Sequence, residues 1–173
     1  MAQPEASATI TVFTQGHGMR YWLMKAEPEE LGIADLAALP TQTVGWCGVR
    51  NYQARNFMRD QMQQGDRALF YHSGVKEPGV AGIVEVCSSP YPDPTQFDPK
   101  SHYYDPKSKP EAPRWQQVDV RYIKRTRYLP LSAMRAEPDL EGMLLLVRGN
   151  RLSITPVEPA HWRAVMRLLG EAP

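Results

Sequence analysis

The stretch GDRALFYHSGVKEPGVAGIVEV, Gly65–Val86, reads as two β-strands joined by a short polar loop. A Gly-Asp turn opens it. Side chains then alternate, with Ala68, Phe70 and His72 on one face and Leu69, Tyr71 and Ser73 on the other. Val80–Val86 returns as the antiparallel partner across GVKEPG.

Upstream of this hairpin, Ala54, Phe57, Met58 and Met62 recur at the spacing of an amphipathic helix whose other face carries Arg55 and Arg59. Before it stands GWCGVRN, a turn with Trp46 between two glycines. EPEELGIADLAALP predicts a short helix over Ile33–Leu39, closed by Pro40. RYWLMKAEP, Arg20–Pro28, reads as a buried strand that ends at proline, with Lys25 at its exit.

Downstream, Pro90–Trp115 has no regular period, and its Asp-Pro and Tyr-Pro pairs predict a long, ordered, functional loop. Trp115–Leu131 returns to alternation, with Val118, Val120 and Tyr122 on one face. A short apolar element around Met143–Val147, a strand over Leu152–Thr155 and a final helix over Pro159–Leu169 complete the chain. Short strands with helices inserted singly predict an α/β barrel of mixed strands, not a doubly wound parallel sheet. The sequence has no G-x-G-x-x-G or P-loop pattern, in keeping with this.

A length of 173 residues suits one domain with its own core, and 42% hydrophobic with 23% charged residues excludes a disordered or fibrous class. No apolar window reaches the roughly 18 residues of a membrane span, so no membrane partner is expected. Residues 1–18 lack a basic n-region and helical periodicity, and are expected to be a flexible, dispensable extension ahead of a domain over 19–173. Cys47 and Cys87 are isolated thiols, which points to a reducing cytoplasm; a monomer is expected.

A net charge of +1 leaves room only for a local basic face. Its candidates for contact with a nucleic-acid backbone are Arg50, Arg59, Arg121, Lys124 and Arg125. A solvated face explains the same residues equally well.

Trp46 is either core or a stacking surface; its place ahead of a polar helix start favours the second. Asn51, Tyr52, Arg55 and Asn56 fall in that helix's first turns, where they can read base edges or hold phosphate, or where Asn51 is simply an N-cap. His72 and Ser73 point to opposite strand faces, so they make no base–nucleophile pair and no catalytic residue is assigned. The two cysteines and His17, His72, His102 and His161 have no zinc-ligand spacing, so neither metal nor cofactor is expected. Trp115 is a second indole that could face a base from a distant segment.

YWLMKAEP, GWCGVRNYQARNFMR, GDRALFYHS, PGVAGIVEV and RWQQVDVRYI, in this order, resemble the EVE domain family over Met19–Gly170. The resemblance implies a PUA-like fold, a mixed β-barrel with helices inserted between strands, similar to the YTH domains that read methylated adenine. It implies an aromatic cage for a modified nucleobase, cytosine or adenine, in DNA or RNA. Lys25 matches the family's lysine after the first strand and Trp46 its cage tryptophan, with Gly48 beside it. Asn51, Tyr52, Arg55 and Asn56 match the N-Y-x-A-R-N run, Tyr71, His72 and Ser73 the second strand, and Trp115 the tryptophan ahead of V-D-V. Ala26 stands where the family's K-S-E-P motif has serine, which removes a hydroxyl able to bond a ligand. The expectation is a non-catalytic reader of a modified base. The alternatives are a hydrolase of a modified nucleoside using Lys25 and Glu27, and a pocket for a free small molecule.

Overall fold

The computed structural model describes residues 18–173. Apart from Gly18, the expected N-terminal extension lies outside the described residues. The central sheet has six strands: β1 (Tyr21–Ala26), β2 (Thr43–Gly45), β3 (Arg67–His72), β4 (Gly79–Val86), β7 (Asp119–Pro130) and β8 (Ile154–Val157), in the spatial order β2-β7-β4-β3-β1-β8. β5 (Tyr91–Pro92) and β6 (Gln116–Gln117) pair separately inside the proline-rich segment. β1 runs parallel to β3, and the other pairings are antiparallel.

The alternation in Gly65–Val86 buries both faces of the sheet. Ala68 and Phe70 join Trp22, Met24, Trp46 and Met58 in one core, while Leu69 and Tyr71 join Trp162, Val165 and Met166 in the other. The first core is covered by α2 (Ile33–Ala38) and α3 (Tyr52–Asn56), with α1 (Pro28–Leu31) leading into α2. The second is covered by α4 (Leu131–Arg135) and by α5 (Pro159–Leu169), which starts with proline at its first turn and stops at Gly170 in the left-handed region. Tyr21 stacks on Trp162 of α5 at 4.3 Å. Asp66 ties the hairpin to β1 by accepting from Trp22 Nε1 (3.0 Å) and Arg20 N (3.1 Å).

The mixed α/β architecture is as expected, but the barrel is not closed. β2 pairs only with β7 and β8 only with β1 among the described residues, so both are sheet edges. β8 is also displaced from its expected span to Ile154–Val157, because Pro156, which lacks an N–H, is tolerated on an edge strand. After α3 the chain does not continue as an α-helix but widens into a π-turn over Phe57–Gln61, where Met62 N–H reaches Phe57 O (2.9 Å). That turn keeps Ala54, Met58 and Met62 all on the core.

Candidate functional site

The turn around Trp46 is held from beneath. Trp46 N–H donates to Val118 O (2.8 Å), and its ring, 6% exposed, meets Phe70 edge-on at 5.6 Å. Gly48 has φ +83°, and a Cβ there would lie 2.6 Å from the Tyr103 ring, so only glycine lets that ring cover the turn. Gly45 likewise admits the Gln117 amide where a Cβ would lie 2.4 Å from Nε2. The glycines flanking Trp46 thus serve close packing by the protein's own loop.

Asp93 locks this arrangement. Fully buried, it accepts from Gly48 N–H (2.8 Å), Arg50 Nη1 (2.9 Å) and Thr95 N–H and Oγ1. Burial pushes its carboxyl upward, but the bonds from Thr95, Gly48 and Arg50 outweigh this and hold it below the ordinary carboxylate value. Arg50 also donates to Val49 O, to Thr95 Oγ1 and twice to Tyr103 O. All five of its N–H groups are therefore engaged. Arg50, expected on a nucleic-acid backbone, has no donor left for a phosphate and instead clamps the Trp46 turn to the proline-rich loop.

Above the turn opens a cleft of about 610 Å³. Its wall is built from the end of β1 (Lys25, Ala26), from β2 (Val44, Gly45), from Trp46–Gly48, from Ser73 and Tyr103, and from Arg151 and Ser153 ahead of β8. The edge strand β2 and the segment leading into the edge strand β8 both contribute to it, so the cleft opens between the two ends of the unclosed sheet.

Lys25 is half-buried there with no hydrogen-bond or ion-pair partner among the described residues, and burial lowers its pKa. Tyr103 Oη donates to Glu30 (2.5 Å), and burial together with that bond pushes the phenol up. The Cys47 thiol is also raised, by partial burial and then by Asp93. Trp46 Nε1 has no partner among the described residues. The one buried side-chain polar atom in that condition is Gln117 Oε1, so the indole N–H keeps some access to solvent.

Of the expected ligand residues, the cleft gathers Lys25, Trp46, Gly48 and Ser73. Tyr71 instead lies in the opposite core, as strand alternation requires. His72 Nε2 accepts from Ile33 N–H (3.2 Å) at the start of α2; burial and then Arg125 lower its pKa, against a smaller opposing effect of Asp35. Asn51 is an N-cap whose side chain accepts from Ala54 N–H (3.1 Å). Asn56 Oδ1 accepts from Arg55 Nε and Nη2.

Trp115 does not face Trp46 across the cleft. It is 6% exposed, donates Nε1 to Asp105 (2.8 Å), and stacks at 4.8 Å on Tyr52. Arg59, Arg121 and Lys124 are exposed and paired with Asp60, Glu85 and Glu171. Arg125 is exposed with no ion pair among the described residues.

Tyr103, Glu30, Arg151 and Ser153 line the cleft without having been singled out in the sequence. Only the aperiodic ordered loop signalled Tyr103, and nothing local marks Arg151. No group of three or more His, Cys, Asp or Glu among the described residues could hold a metal ion.

Comparison with known proteins gives a consistent result. The EVE domain matches residues 20–168. Thymocyte nuclear protein 1 of Gallus gallus is 43% identical over 171 residues, covering 88% of this chain and 70% of that protein. The Homo sapiens protein of that name is 41% identical over 171 residues, covering 88% and 75%. The crystal structure of human THYN1 protein in complex with 5-methylcytosine-containing DNA superposes with a TM-score of 0.83 at 41% identity, covering 89% of this chain and 99% of that one. A crystal structure of a Pseudomonas syringae protein gives a TM-score of 0.82 at 44% identity, covering 86% and 98%.

Proposed function

The chain belongs to the EVE domain family, and from that premise we propose that it binds DNA through a modified base seated in the cleft. 5-Methylcytosine is the first candidate, because a relative of the same fold was crystallised with DNA containing it. The carrying observation is the half-buried Lys25 ammonium, without a partner among the described residues, in a cleft whose lining includes Trp46. Half withdrawn from water, that ammonium has donors that a ligand acceptor in the cleft would satisfy. Cytosine offers such acceptors on its pairing edge, and a 5-methyl group adds apolar surface for Trp46 and Tyr103 to cover.

In this reading the aromatic cage consists of Trp46 and Tyr103, not of Trp46 and Trp115. A base in a duplex must first be extruded, and the open cleft admits it from outside. Arg151 at the rim, with Arg125 on β7, supplies charge for the backbone. The exposed pairs of Arg59, Arg121 and Lys124 are each worth about 0–1 kcal/mol and yield readily to a phosphate.

The test is a titration panel of single-stranded oligonucleotides, DNA and RNA, bearing cytosine, 5-methylcytosine, adenine or N6-methyladenine. Preference for one modified base, lost on Lys25→Met, is expected. Equal affinity across the panel overturns the reading.

A hydrolase remains the second reading, since Lys25, Glu27 and Ser73 share the cleft wall. Release of product from modified nucleosides on incubation with the protein would select it.

A further inference from the structure

We propose that Glu30 selects an amino-bearing pyrimidine over its keto counterpart: its carboxylate, held by Tyr103, accepts the exocyclic amine of the base in the cleft and thereby rejects thymine. This rests on the cleft being a base pocket.

Apolar walls cannot make that choice. Thymine is 5-methylcytosine with a carbonyl in place of the exocyclic amine and a proton on N3, and the 5-methyl group is common to both. The Trp46 and Tyr103 rings therefore cover the two bases alike. Only donors and acceptors on the cleft wall separate them, and a wall built to bond an amine leaves its own polar groups unpaired against a carbonyl.

The lining supplies one group of each kind. Lys25 and Glu30 both face the cleft, yet they do not satisfy one another. Burial alone moves the Lys25 pKa, so no carboxylate bears on it, and the Glu30 carboxylate is instead bonded by Tyr103 Oη (2.5 Å). A base in the cleft meets a donor from Lys25 and an acceptor from Glu30. Cytosine presents the complement, acceptors at N3 and O2 beside a donor at N4. Thymine presents a donor at N3 and an acceptor at O4, so like faces like at both positions.

Glu30, and not Glu27, has the fixed geometry. Glu27 lies against the turn after β3, its carboxyl carbon 3.3 Å from where a Cβ on Gly74 would stand. Tyr103, which holds Glu30, is itself anchored, because its carbonyl accepts twice from Arg50 and its ring rests over Gly48. Glu30 Oε2 lies 2.5 Å beyond the phenol oxygen. That puts the carboxylate about 5 Å from the Tyr103 ring centre; the amine of a pyrimidine stacked on the ring extends about 2.7 Å and needs about 2.9 Å more for its hydrogen bond. The two reaches match closely enough for the second oxygen, Oε1, to take the amine while Oε2 keeps Tyr103.

The experiment uses four trinucleotides with abasic flanks, carrying 5-methylcytosine, cytosine, thymine or uracil in the middle. Each is titrated calorimetrically into wild type, Glu30→Gln and Tyr103→Phe. Wild type should prefer 5-methylcytosine to thymine and cytosine to uracil, each by about 5- to 150-fold. In Glu30→Gln, whose amide can turn an acceptor or a donor to the base, both ratios should fall to within about 3-fold of unity. Its ratio of 5-methylcytosine to cytosine should stay that of wild type, which marks the cleft as still folded. Tyr103→Phe frees the carboxylate and should lower both amine ratios. Wild type that prefers 5-methylcytosine to cytosine yet binds thymine as tightly overturns the inference, as does Glu30→Gln that keeps the wild-type preference over thymine. Wild type that ignores the methyl group in both pairs marks failure of the modified-base reading instead, and wild type that ignores amine and methyl alike ends both.

Discussion

Replacing Gly48 by alanine tests whether the Trp46 turn is built around the Tyr103 ring. Two costs add. A side chain at φ +83° carries the left-handed penalty of about 1–2 kcal/mol. The new Cβ would also sit 2.6 Å from Tyr103 Cζ and within 2.8 Å of two further ring carbons, so the ring must move. It is not free to, because its hydroxyl bonds Glu30 and its carbonyl bonds Arg50. Overpacking of that kind costs about 1–3 kcal/mol, for a total of about 2–5 kcal/mol. Urea unfolding of wild type, Gly48→Ala, Tyr103→Ala and the double variant separates the two parts. In the double variant the clash is gone and only the backbone term remains, which predicts a coupling of about 1–3 kcal/mol between the positions. A cost of Gly48→Ala below about 0.5 kcal/mol, or one unchanged by removing the Tyr103 ring, would refute the reasoning.

Two further outcomes depend on pH. A ligand acceptor on Lys25 favours the ammonium, whose pKa in the free protein is depressed below 10.5; affinity should hold at pH values below that depressed pKa and fall as pH rises through it, and titrations of wild type and Lys25→Met over this range check it, since the variant should show no such fall. His72 must be neutral at Nε2 to accept from Ile33 N–H, and its pKa lies below 6.5. Its contribution, about 0.5–1.5 kcal/mol for one hydrogen bond, is present above pH 6.5 and is lost as pH falls through the depressed value; thermal unfolding of His72→Ala should show a shallower acid slope than wild type, and identical slopes would contradict the assignment.

Elements with strong periodicity were legible in the sequence: β1, the Gly65–Val86 hairpin, the α3 face through Ala54, Met58 and Met62, and α5 between Pro159 and Gly170. The parallel pairing of β1 with β3 was not, because nothing local to either strand specifies a partner more than forty residues away. Lys25 and Trp46, singled out by a strand exit and a glycine-flanked turn, both line the cleft. Trp115 lies outside the cleft lining, because an indole's type says nothing of which surface it faces, and Tyr52 stacks on it. Arg50 shows the same limit for charge: Asp93 is distant in sequence, and only folding reveals that it consumes the guanidinium's donors. Tyr103 lies in a segment without period, where pattern predicts order but no direction for any side chain.

The most direct test of the central claim is the affinity of the wild-type protein for one single-stranded oligonucleotide carrying 5-methylcytosine against its cytosine twin, measured side by side with Lys25→Met. The account predicts tighter binding of the methylated strand by wild type and loss of affinity in the variant. Indifference of wild type to the methyl group, together with unchanged binding by Lys25→Met, would contradict it.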